Sequence, residues 1–225
     1  MPNNKINFPM LLASSVHDIK NSLSMLLNSL ESMIEVKDAD AKLRHEFSVL
    51  HGEASRINHS LIHLLGLYRL DNNQLSINSE EIYMEDYLEE QIASQQLLLD
   101  VNNIAIELHC DSNLSAYFDE NLISGVIGNI LVNCAKYTKD HIAIFCEKAD
   151  TGIIIHIKDN GSGYPQSIIE NLANHERSLD FNTGSTNLGL FFAAEIAQLH
   201  HCKEKTGYIS LSNHDNGGCF TLSLP

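Results

Sequence analysis

Apolar side chains follow a regular spacing through the first third of the chain. From Leu12 to Met33, and again from Leu43 to Tyr68, they recur in alternating steps of four and three residues. This seven-residue repeat predicts two long helices packed side by side. Pro9 favours a helix start, and the polar residues 71–73 favour a helix end. The positions concerned are Leu12, Val16, Ile19, Leu23, Leu26, Leu30 and Met33 in the first run, and Leu43, Phe47, Leu50, Ala54, Ile57, Leu61, Leu64 and Tyr68 in the second.

A polar break near residues 38–40 separates the two runs, so the sequence predicts an all-α helical hairpin over residues 1–72. Two helices alone bury little apolar surface, and we therefore expect a homodimer that forms a four-helix bundle. The alternative is a monomeric hairpin that packs on the rest of the chain.

Residues 73–225 have a different pattern and predict a separate α+β domain. Because strands and helices do not alternate strictly there, the pattern favours a mixed sheet with helices on one face. Hairpin turns are expected at residues 150–152 and 215–218. The predicted helices are 85–99, 121–137 and 188–200, and the predicted strands are 104–108, 116–118, 142–147, 152–158, 208–212 and 219–224.

The charge balance excludes several classes of function. The 225 residues include 29 acidic and 14 basic side chains, a net charge of −15, which repels nucleic-acid phosphates and anionic membranes. No apolar run approaches the roughly 18–20 residues of a membrane span, and the first residues lack a signal-peptide pattern. The five cysteines are scattered and odd in number, which favours reduced thiols over a disulfide or zinc framework. We therefore expect a cytoplasmic protein that binds neither nucleic acid nor membrane.

One candidate for chemistry lies in the first predicted helix. If Val16 and Ile19 face the apolar seam, then His17, Asp18 and Asn21 point outward. A neutral imidazole is a competent nucleophile, an adjacent carboxylate can take its proton, and an amide one turn away can position a water molecule. The alternative is an ordinary solvated histidine on a helix surface.

Three further motifs lie in the second domain. Asn129 and Asn133 are one helical turn apart with Lys136 beyond them, and such amide and ammonium groups suit Mg²⁺ and phosphate respectively. Asp159 follows a predicted strand in the run D-N-G-S-G, where a carboxylate can accept from an amine and the glycines let a ligand approach the backbone. Residues 184–190, G-S-T-N-L-G-L, precede a predicted helix whose N-terminus suits phosphate. Taken singly, each motif is also explained as a turn or a helix cap.

In this order, the four motifs resemble those of the bacterial two-component sensor histidine kinases. In that family a dimeric phosphoacceptor hairpin precedes an ATP-binding domain of the Bergerat fold, and the resemblance here extends from about residue 10 to the C-terminus. It implies a short soluble kinase that uses ATP and Mg²⁺ to autophosphorylate a histidine. The phosphoryl group would then pass to an aspartate in the receiver domain of a separate response regulator.

The resemblance also implies a role for each matching residue. His17 would be the phosphoacceptor, Asp18 the acid/base beside it, and Asn21 the residue that orients water in a phosphatase reaction. Asn129 and Asn133 would hold Mg²⁺. The residues implied in nucleotide binding are Asn129, Asn133, Lys136, Tyr137, Asp159, Gly161, Gly163, Asn187, Leu188 and Gly189. Related ATPases have a glutamate where Asn129 stands, and its absence favours transfer to His17 over hydrolysis by an ATP-driven clamp of the gyrase or chaperone kind.

The sequence departs from the family pattern at the fourth motif. Ser185 and Asn187 replace two glycines of Gly-x-Gly-x-Gly-Leu, and the 25 residues between Gly163 and Gly189 leave room for only a short lid. These differences leave open an alternative function, a histidine phosphotransfer or scaffold protein with a degenerate ATP-binding domain. Because the sequence shows no sensor domain, we expect its input to come from a separate sensor protein or from the cytosol.

Two groups of histidines are weaker candidates for a metal site. They are His59 with His63, and the run His200-His201-Cys202. Because no further ligand falls at a matching spacing, we interpret them as ordinary surface histidines.

Overall fold

The chain divides into two compact units, Met1–Leu75 and Ser76–Pro225. The computed structural model describes residues 8–34, 41–72, 75–150, 152–173, 188–214 and 217–225. Among these residues, no helix combines the length and the apolar character needed to span a membrane.

The first unit contains two long helices, α1 (Phe8–Ile34) and α2 (Ala41–Asp71), which contact each other. Both runs of the seven-residue repeat lie on these helices. Asn72 ends α2, because its backbone N–H and its side-chain amide both donate to the carbonyl oxygen of Tyr68, at 3.3 and 2.8 Å. The polar break predicted at residues 38–40 lies outside the described residues.

The apolar seam of each helix is covered on one side only. On α1, Val16 and Leu30 are buried, whereas Ile19 and Met33, three residues further along, are 46% and 47% exposed. The same alternation occurs on α2, where Ala54 is buried. We call the exposed row the outer seam: Ile19, Leu26, Met33, Leu43, Leu50, Ile57 and Leu64. The expected four-helix bundle stays a prediction.

The second unit consists of a mixed sheet and five helices among the residues described. The helices are α3 (Met84–Ala93), α4 (Gln96–Val101), α5 (Glu120–Tyr137), α6 (Gln166–Ala173) and α7 (Leu188–Leu199). The strands are β1 (Glu80–Tyr83), β2 (Ala105–Cys110), β3 (Ser115–Phe118), β4 (His141–Ala149), β5 (Gly152–Asp159), β6 (His201–Cys202), β7 (Lys205–Thr206), β8 (Tyr208–His214) and β9 (Gly217–Leu224).

The main sheet has the strand order β2-β4-β5-β9-β8. Strands β2 and β4 are parallel, and the other neighbouring strands are antiparallel. Two small antiparallel pairs, β1 with β3 and β6 with β7, lie outside this sheet. The mixed sheet predicted from the sequence is therefore confirmed.

One face of the main sheet is buried against helices. Alternate residues of β4 and β5 are buried, as at Ile144 and Ile155, because successive side chains of a strand point to opposite faces. Helices α3 and α4 contact β2, while α7 contacts α5, β8 and β9. Phe192 and Phe220 are at most 2% exposed in this core. The arrangement agrees with the predicted α+β sandwich.

Local side-chain bonds explain where the elements differ from the prediction. The helix predicted over residues 85–99 is interrupted between α3 and α4, where the Ser94 hydroxyl donates to the Gln91 carbonyl oxygen at 2.7 Å and competes with the helical pattern. Strand β1 was not predicted, because its charged and mostly exposed residues lack an apolar alternation. Helix α6 was also missed. Both predicted hairpin turns include residues outside the described ranges.

His200 connects the end of α7 to the start of α5. Its side chain is 5% exposed; Nε2 accepts from the backbone N–H of Asp119 at 3.0 Å, and Nδ1 donates to the Ile196 carbonyl oxygen at 2.8 Å. Burial lowers the pKa of His200 below its ordinary value of 6.5, against the opposing effects of Ile196 and Asp119. The interpretation of His200 as a surface histidine is therefore wrong.

Asp119 in turn fixes the start of α5. Its carboxylate accepts from the backbone N–H of Leu122 at 3.1 Å and from that of Asn78 at 2.9 Å. A carboxylate that accepts from the first turn satisfies a backbone donor that the helix itself cannot pair. Asp119 and His200 together therefore set the position of the helix that carries the second motif.

Candidate functional site

Helix α5 presents the second motif on one of its faces. Asn129 is 9% exposed, Asn133 is half-buried and Lys136 is exposed. The Asn129 Nδ2 atom is buried and has no hydrogen-bond partner. An unpaired buried polar group costs roughly 1–3 kcal/mol, so a bound group that completes the bonding of this amide is expected here.

The first turn of α7 closely approaches Asn129. A Cβ atom built at Gly189 would lie 2.4 Å from Asn129 Nδ2 and 2.7 Å from its Oδ1. No residue with a side chain fits at this position unless Asn129 moves. The structure thus brings the second and fourth motifs together. Leu188 is the first residue of α7, while Asn187 lies outside the described residues.

The third motif positions a carboxylate at the end of β5. Asp159 is 8% exposed, and its Oδ1 accepts from the backbone N–H of Gly161 at 2.8 Å. A Cβ atom at Gly161 would lie 2.2 Å from the Tyr137 carbonyl oxygen, and one at Gly218 would lie 2.9 Å from Asp159 Oδ2. Glycine at these two positions therefore lets the chain pass close to α5 on one side and to the carboxylate on the other.

Neutral side chains surround Asp159. Burial is the largest cause of the raised pKa of both Cys134 and Tyr164, and the charge of Asp159 contributes to each increase. Both groups are therefore uncharged near pH 7, and neither supplies a positive charge to the Asp159 carboxylate. A carboxylate in such surroundings is a strong acceptor for an amine or amide donor.

Asn160, which the sequence did not single out, holds the third motif against the end of α5. Its Oδ1 accepts from the Thr138 hydroxyl at 2.8 Å and from the backbone N–H of His141 at 3.1 Å. Its Nδ2 donates to Asp140 Oδ1 at 2.7 Å. The position of Asn160 directly after Asp159 in the run D-N-G is the sequence feature that could have identified it, since asparagine favours turns in which its side chain bonds to nearby backbone.

The last glycine of the third motif has a conformation that favours glycine. Gly163 has a φ of +74°, and a Cβ atom there would lie 2.7 Å from Asn213 Oδ1. That oxygen accepts from the Tyr164 N–H at 2.7 Å, and Asn213 Nδ2 donates back to the Tyr164 carbonyl oxygen at 2.8 Å. Asn213 is far away in sequence, so no local pattern pointed to it.

The first motif lies in the first unit, on α1. Asp18 and Asn21 are exposed and Val16 is buried, as the seam predicted, although Ile19 belongs to the outer seam. His17 is part of α1, and its side chain lies outside the described residues. An open groove on this helix is lined by Asp18, Ile19, Ser22, Leu23 and Leu26. The roles assigned to these residues stay predictions.

The described residues contain no group of three or more His, Cys, Asp or Glu side chains arranged to hold a metal ion. This finding includes the run His200-His201-Cys202, whereas the side chains of His59 and His63 lie outside the described residues. A magnesium site in the second unit would instead use the amide oxygens of α5, which are suitable donors for this ion.

Comparison with known proteins gives this geometry a family context. Residues 118–225 match the family model described as histidine kinase-, DNA gyrase B- and HSP90-like ATPase. Over these residues the second unit is similar to that ATPase family.

The relatives extend over both units. The sensor protein SrrB of Staphylococcus aureus strain N315 is 26% identical in an alignment 224 positions long, which covers 95% of this chain and 37% of that protein. This chain thus spans little more than a third of the length of that curated relative. Two solved structures share the fold. Full-length ShkA in complex with AMPPNP has a TM-score of 0.66 at 17% identity, over 96% of this chain and 46% of that one. The histidine kinase ThkA in complex with the response regulator TrrA has a TM-score of 0.59 at 19% identity, over 96% and 61%.

Proposed function

We propose that this chain is a histidine kinase that binds ATP with Mg²⁺, autophosphorylates His17 and passes the phosphoryl group to an aspartate of a response regulator. The observation that carries the proposal is the buried, unpartnered amide of Asn129, against which only a glycine fits at position 189. Because Nδ2 is a hydrogen-bond donor, the ligand that completes its bonding would present an acceptor such as a phosphate oxygen, and the Asn129 Oδ1 atom would remain for Mg²⁺.

The residues of α5 fit a magnesium site. Asn129 and Asn133 are one turn apart on the same face, and amide oxygens are ligands that Mg²⁺ accepts. These two residues would hold the ion, which when bound neutralises charge that develops on the transferring phosphate. Lys136, exposed one turn beyond Asn133, would contact a phosphate oxygen.

Asp159 would recognise the adenine base. Its buried carboxylate can accept from an exocyclic amine, and the neutral Cys134 and Tyr164 provide walls of low polarity. The other residues that the resemblance assigns to the nucleotide site stay part of the proposal. They are Tyr137, Gly161, Gly163, Asn187, Leu188 and Gly189.

The chemical step takes place at the imidazole of His17. A ring nitrogen attacks the γ-phosphorus of ATP, an N–P bond forms, the bond to the β-phosphate oxygen breaks, and ADP leaves. Asp18 accepts the proton that the ring releases and stabilises the charged form. Catalysis then consists of positioning and charge neutralisation. Asn129 in place of glutamate leaves no carboxylate at that position to activate water, which favours transfer over hydrolysis.

A response regulator is the proposed partner. The solved ThkA structure contains the response regulator TrrA, and its fold matches 96% of this chain. The phosphoryl group would pass from His17 to a receiver-domain aspartate, which restores the free imidazole. Asn21 is exposed one turn from His17 and would orient the water that hydrolyses the regulator's aspartyl phosphate in a phosphatase reaction.

The outer seam supports a homodimer. Seven apolar residues, spaced seven apart on each helix, are each 44–55% exposed in the single chain. Such a continuous apolar row is the surface that a second hairpin would cover in a four-helix bundle. We therefore propose that two copies of the chain pair through α1 and α2. We also propose that the input signal comes from a separate sensor protein.

Titration with a fluorescent ATP analogue in the presence of Mg²⁺ tests the nucleotide site. We expect saturable binding that Asp159→Asn weakens by at least about tenfold, because the variant amide no longer matches the amine donor. Asp86→Asn, at an exposed carboxylate of α3, is the matched control and should bind as the wild type does. His17→Gln should keep nucleotide binding and lose phosphoryl transfer.

The same titration decides between this function and the alternative. A lack of saturable binding up to about 1 mM, an affinity of only about −4 kcal/mol, would contradict the kinase proposal. It would favour a histidine phosphotransfer or scaffold protein whose ATP-binding domain is degenerate. Rapid hydrolysis of ATP without phosphorylated protein would instead favour an ATP-driven clamp.

A further inference from the structure

Cys110 and Cys146 are direct neighbours on two parallel strands. Cys110 is the last residue of β2, and its partner in the register with β4 is Cys146. Both side chains lie on the helix-covered face, since Cys146 continues the buried series of Ile142 and Ile144. Paired residues of neighbouring strands have Cα atoms about 4.8 Å apart, within the range of roughly 4.4–6.8 Å that disulfides require.

The two thiols differ in exposure. Cys146 is buried, whereas Cys110 is partly exposed on an edge strand of the sheet. Burial raises the pKa of both thiols, and the Cys110 Sγ donates to the Asp111 carbonyl oxygen at 3.6 Å. Cys110 is therefore the thiol that solvent reaches and the one that a peroxide meets first.

We propose that Cys110 and Cys146 are a modification site at which a peroxide forms a reversible intramolecular disulfide. The Cys110 thiolate attacks a peroxide oxygen, the O–O bond breaks, and one water leaves once a proton is taken up, so that Cys110 becomes a sulfenic acid. Cys146 then attacks the Cys110 sulfur, the S–O bond breaks, and a second water leaves. Overall, two thiols lose two electrons and two protons, and hydrogen peroxide is reduced to water.

The bond would enclose the part of the domain that carries the candidate nucleotide residues. Residues 110–146 include β3, the whole of α5 and most of β4. A bridge between their ends restricts the unfolded chain and fixes the edge strand β2 to β4. We therefore expect the oxidised protein to unfold at a higher denaturant concentration than the reduced protein. The inference does not depend on the proposed kinase activity.

Peptide mapping of the full chain tests the proposal. After peroxide treatment and alkylation, cleavage before aspartate separates three cysteines: Cys110 on peptide 100–110, Cys134 on 119–139 and Cys146 on 140–149. We expect peptides 100–110 and 140–149 to be joined, with a mass about 2 Da below the sum of the reduced pair. The joined species should disappear on reduction, and the protein should migrate as a single chain on a non-reducing gel.

Variants test the order of the steps. Cys146→Ser should leave Cys110 as a sulfenic acid that dimedone traps, and Cys110→Ser should leave Cys146 unmodified. Cys202→Ser is the matched control, at an exposed cysteine, and should retain the joined peptides. The peroxide dose is raised until Cys202 of the wild type is oxidised. If Cys110 and Cys146 are both still alkylated at that dose, or if either is joined to a different cysteine, the proposal is overturned.

Discussion

Substitution of a single glycine tests whether Asn129 contacts the ligand. In Gly189→Ala, the added Cβ would lie 2.4 Å from Asn129 Nδ2, whereas ordinary contacts begin near 3.4 Å. The amide must therefore move by about 1 Å, since the neighbouring backbone of α7 is fixed by its own hydrogen bonds. The perturbation acts on the end of one side chain and leaves the charge of the protein unchanged.

The structure predicts different effects on stability and on binding. Alanine is favoured over glycine by up to about 1 kcal/mol in a helix interior and by less in a first turn such as that of Gly189, which offsets part of the cost of moving the amide. A ligand held through Asn129 would lose a bond worth about 1.5–3 kcal/mol. We therefore expect the affinity for Mg²⁺-ATP to fall by roughly tenfold to a hundredfold, while the free energy of unfolding changes by less than about 1 kcal/mol.

Titration calorimetry with Mg²⁺-ATP gives the affinity, and denaturant unfolding without nucleotide gives the stability. Gly125→Ala is the matched control. It lies inside α5, and its Cβ would be 3.7 Å from the nearest atom, Cε1 of Phe192, which is an ordinary contact. This control should gain up to about 1 kcal/mol of stability from helix propensity and bind nucleotide as the wild type does.

A double variant separates an effect through Asn129 from a general disturbance of α7. In an Asn129→Ala background, Gly189→Ala should weaken binding no further, because the amide that it displaces is already absent. Wild-type affinity in Gly189→Ala would refute the role of Asn129. Additive losses in the double variant would show that Gly189 acts by another route.

Three further predictions concern the rest of the molecule. Burial keeps His200 neutral, while the unfolded chain binds a proton near pH 6.5, so its stabilising contribution should be present above that pH and be lost as the pH falls below it. Between about pH 7.5 and about pH 5.5, the free energy of unfolding should therefore decrease less in His200→Gln than in the wild type. Equal decreases would contradict this. Leu50→Asp, at an outer-seam residue that is 55% exposed, should convert the dimer to a monomer in sedimentation, whereas Val49→Asp, 52% exposed beside it, should not; equal masses for the two variants would remove the support for pairing through this row. Asn21→Ala should keep autophosphorylation and lose phosphatase activity toward the phosphorylated regulator, and an unchanged rate of phosphate release would rule out its water-positioning role.

Local patterns were sufficient for the regular elements of the second unit. Strands β4 and β5 alternate buried and less buried residues along their length, so their sequence contained the period of two that identified them. Helix α5 was recognised by its apolar content. Strand β1 lacks such a period and exists through its pairing with β3, which lies more than 30 residues away. Pairing of this kind leaves no local signal.

The sequence predicted which residues belong to the candidate site, but not which of them contact one another. The motifs identified Asn129, Asp159 and Gly189, but only the fold shows that a Cβ at position 189 would meet the Asn129 amide. His200 was misjudged because the sequence was searched there only for metal ligands, whereas its ring is buried and accepts from the backbone N–H of Asp119, 81 residues away in sequence. Likewise, the spacing of Cys110 and Cys146 gave no sign that the register of β2 and β4 pairs them.

The most direct test of the central claim is to identify the residue that carries phosphate after the protein is incubated with Mg²⁺ and γ-labelled ATP. We predict label in the wild type and in His51→Gln, a control on α2, with the phosphate mapped to His17 and with the acid lability of an N–P bond. His17→Gln should bind nucleotide and take up no label. Label retained in His17→Gln, or phosphate mapped to any other residue, would contradict the assignment of His17 as the phosphoacceptor.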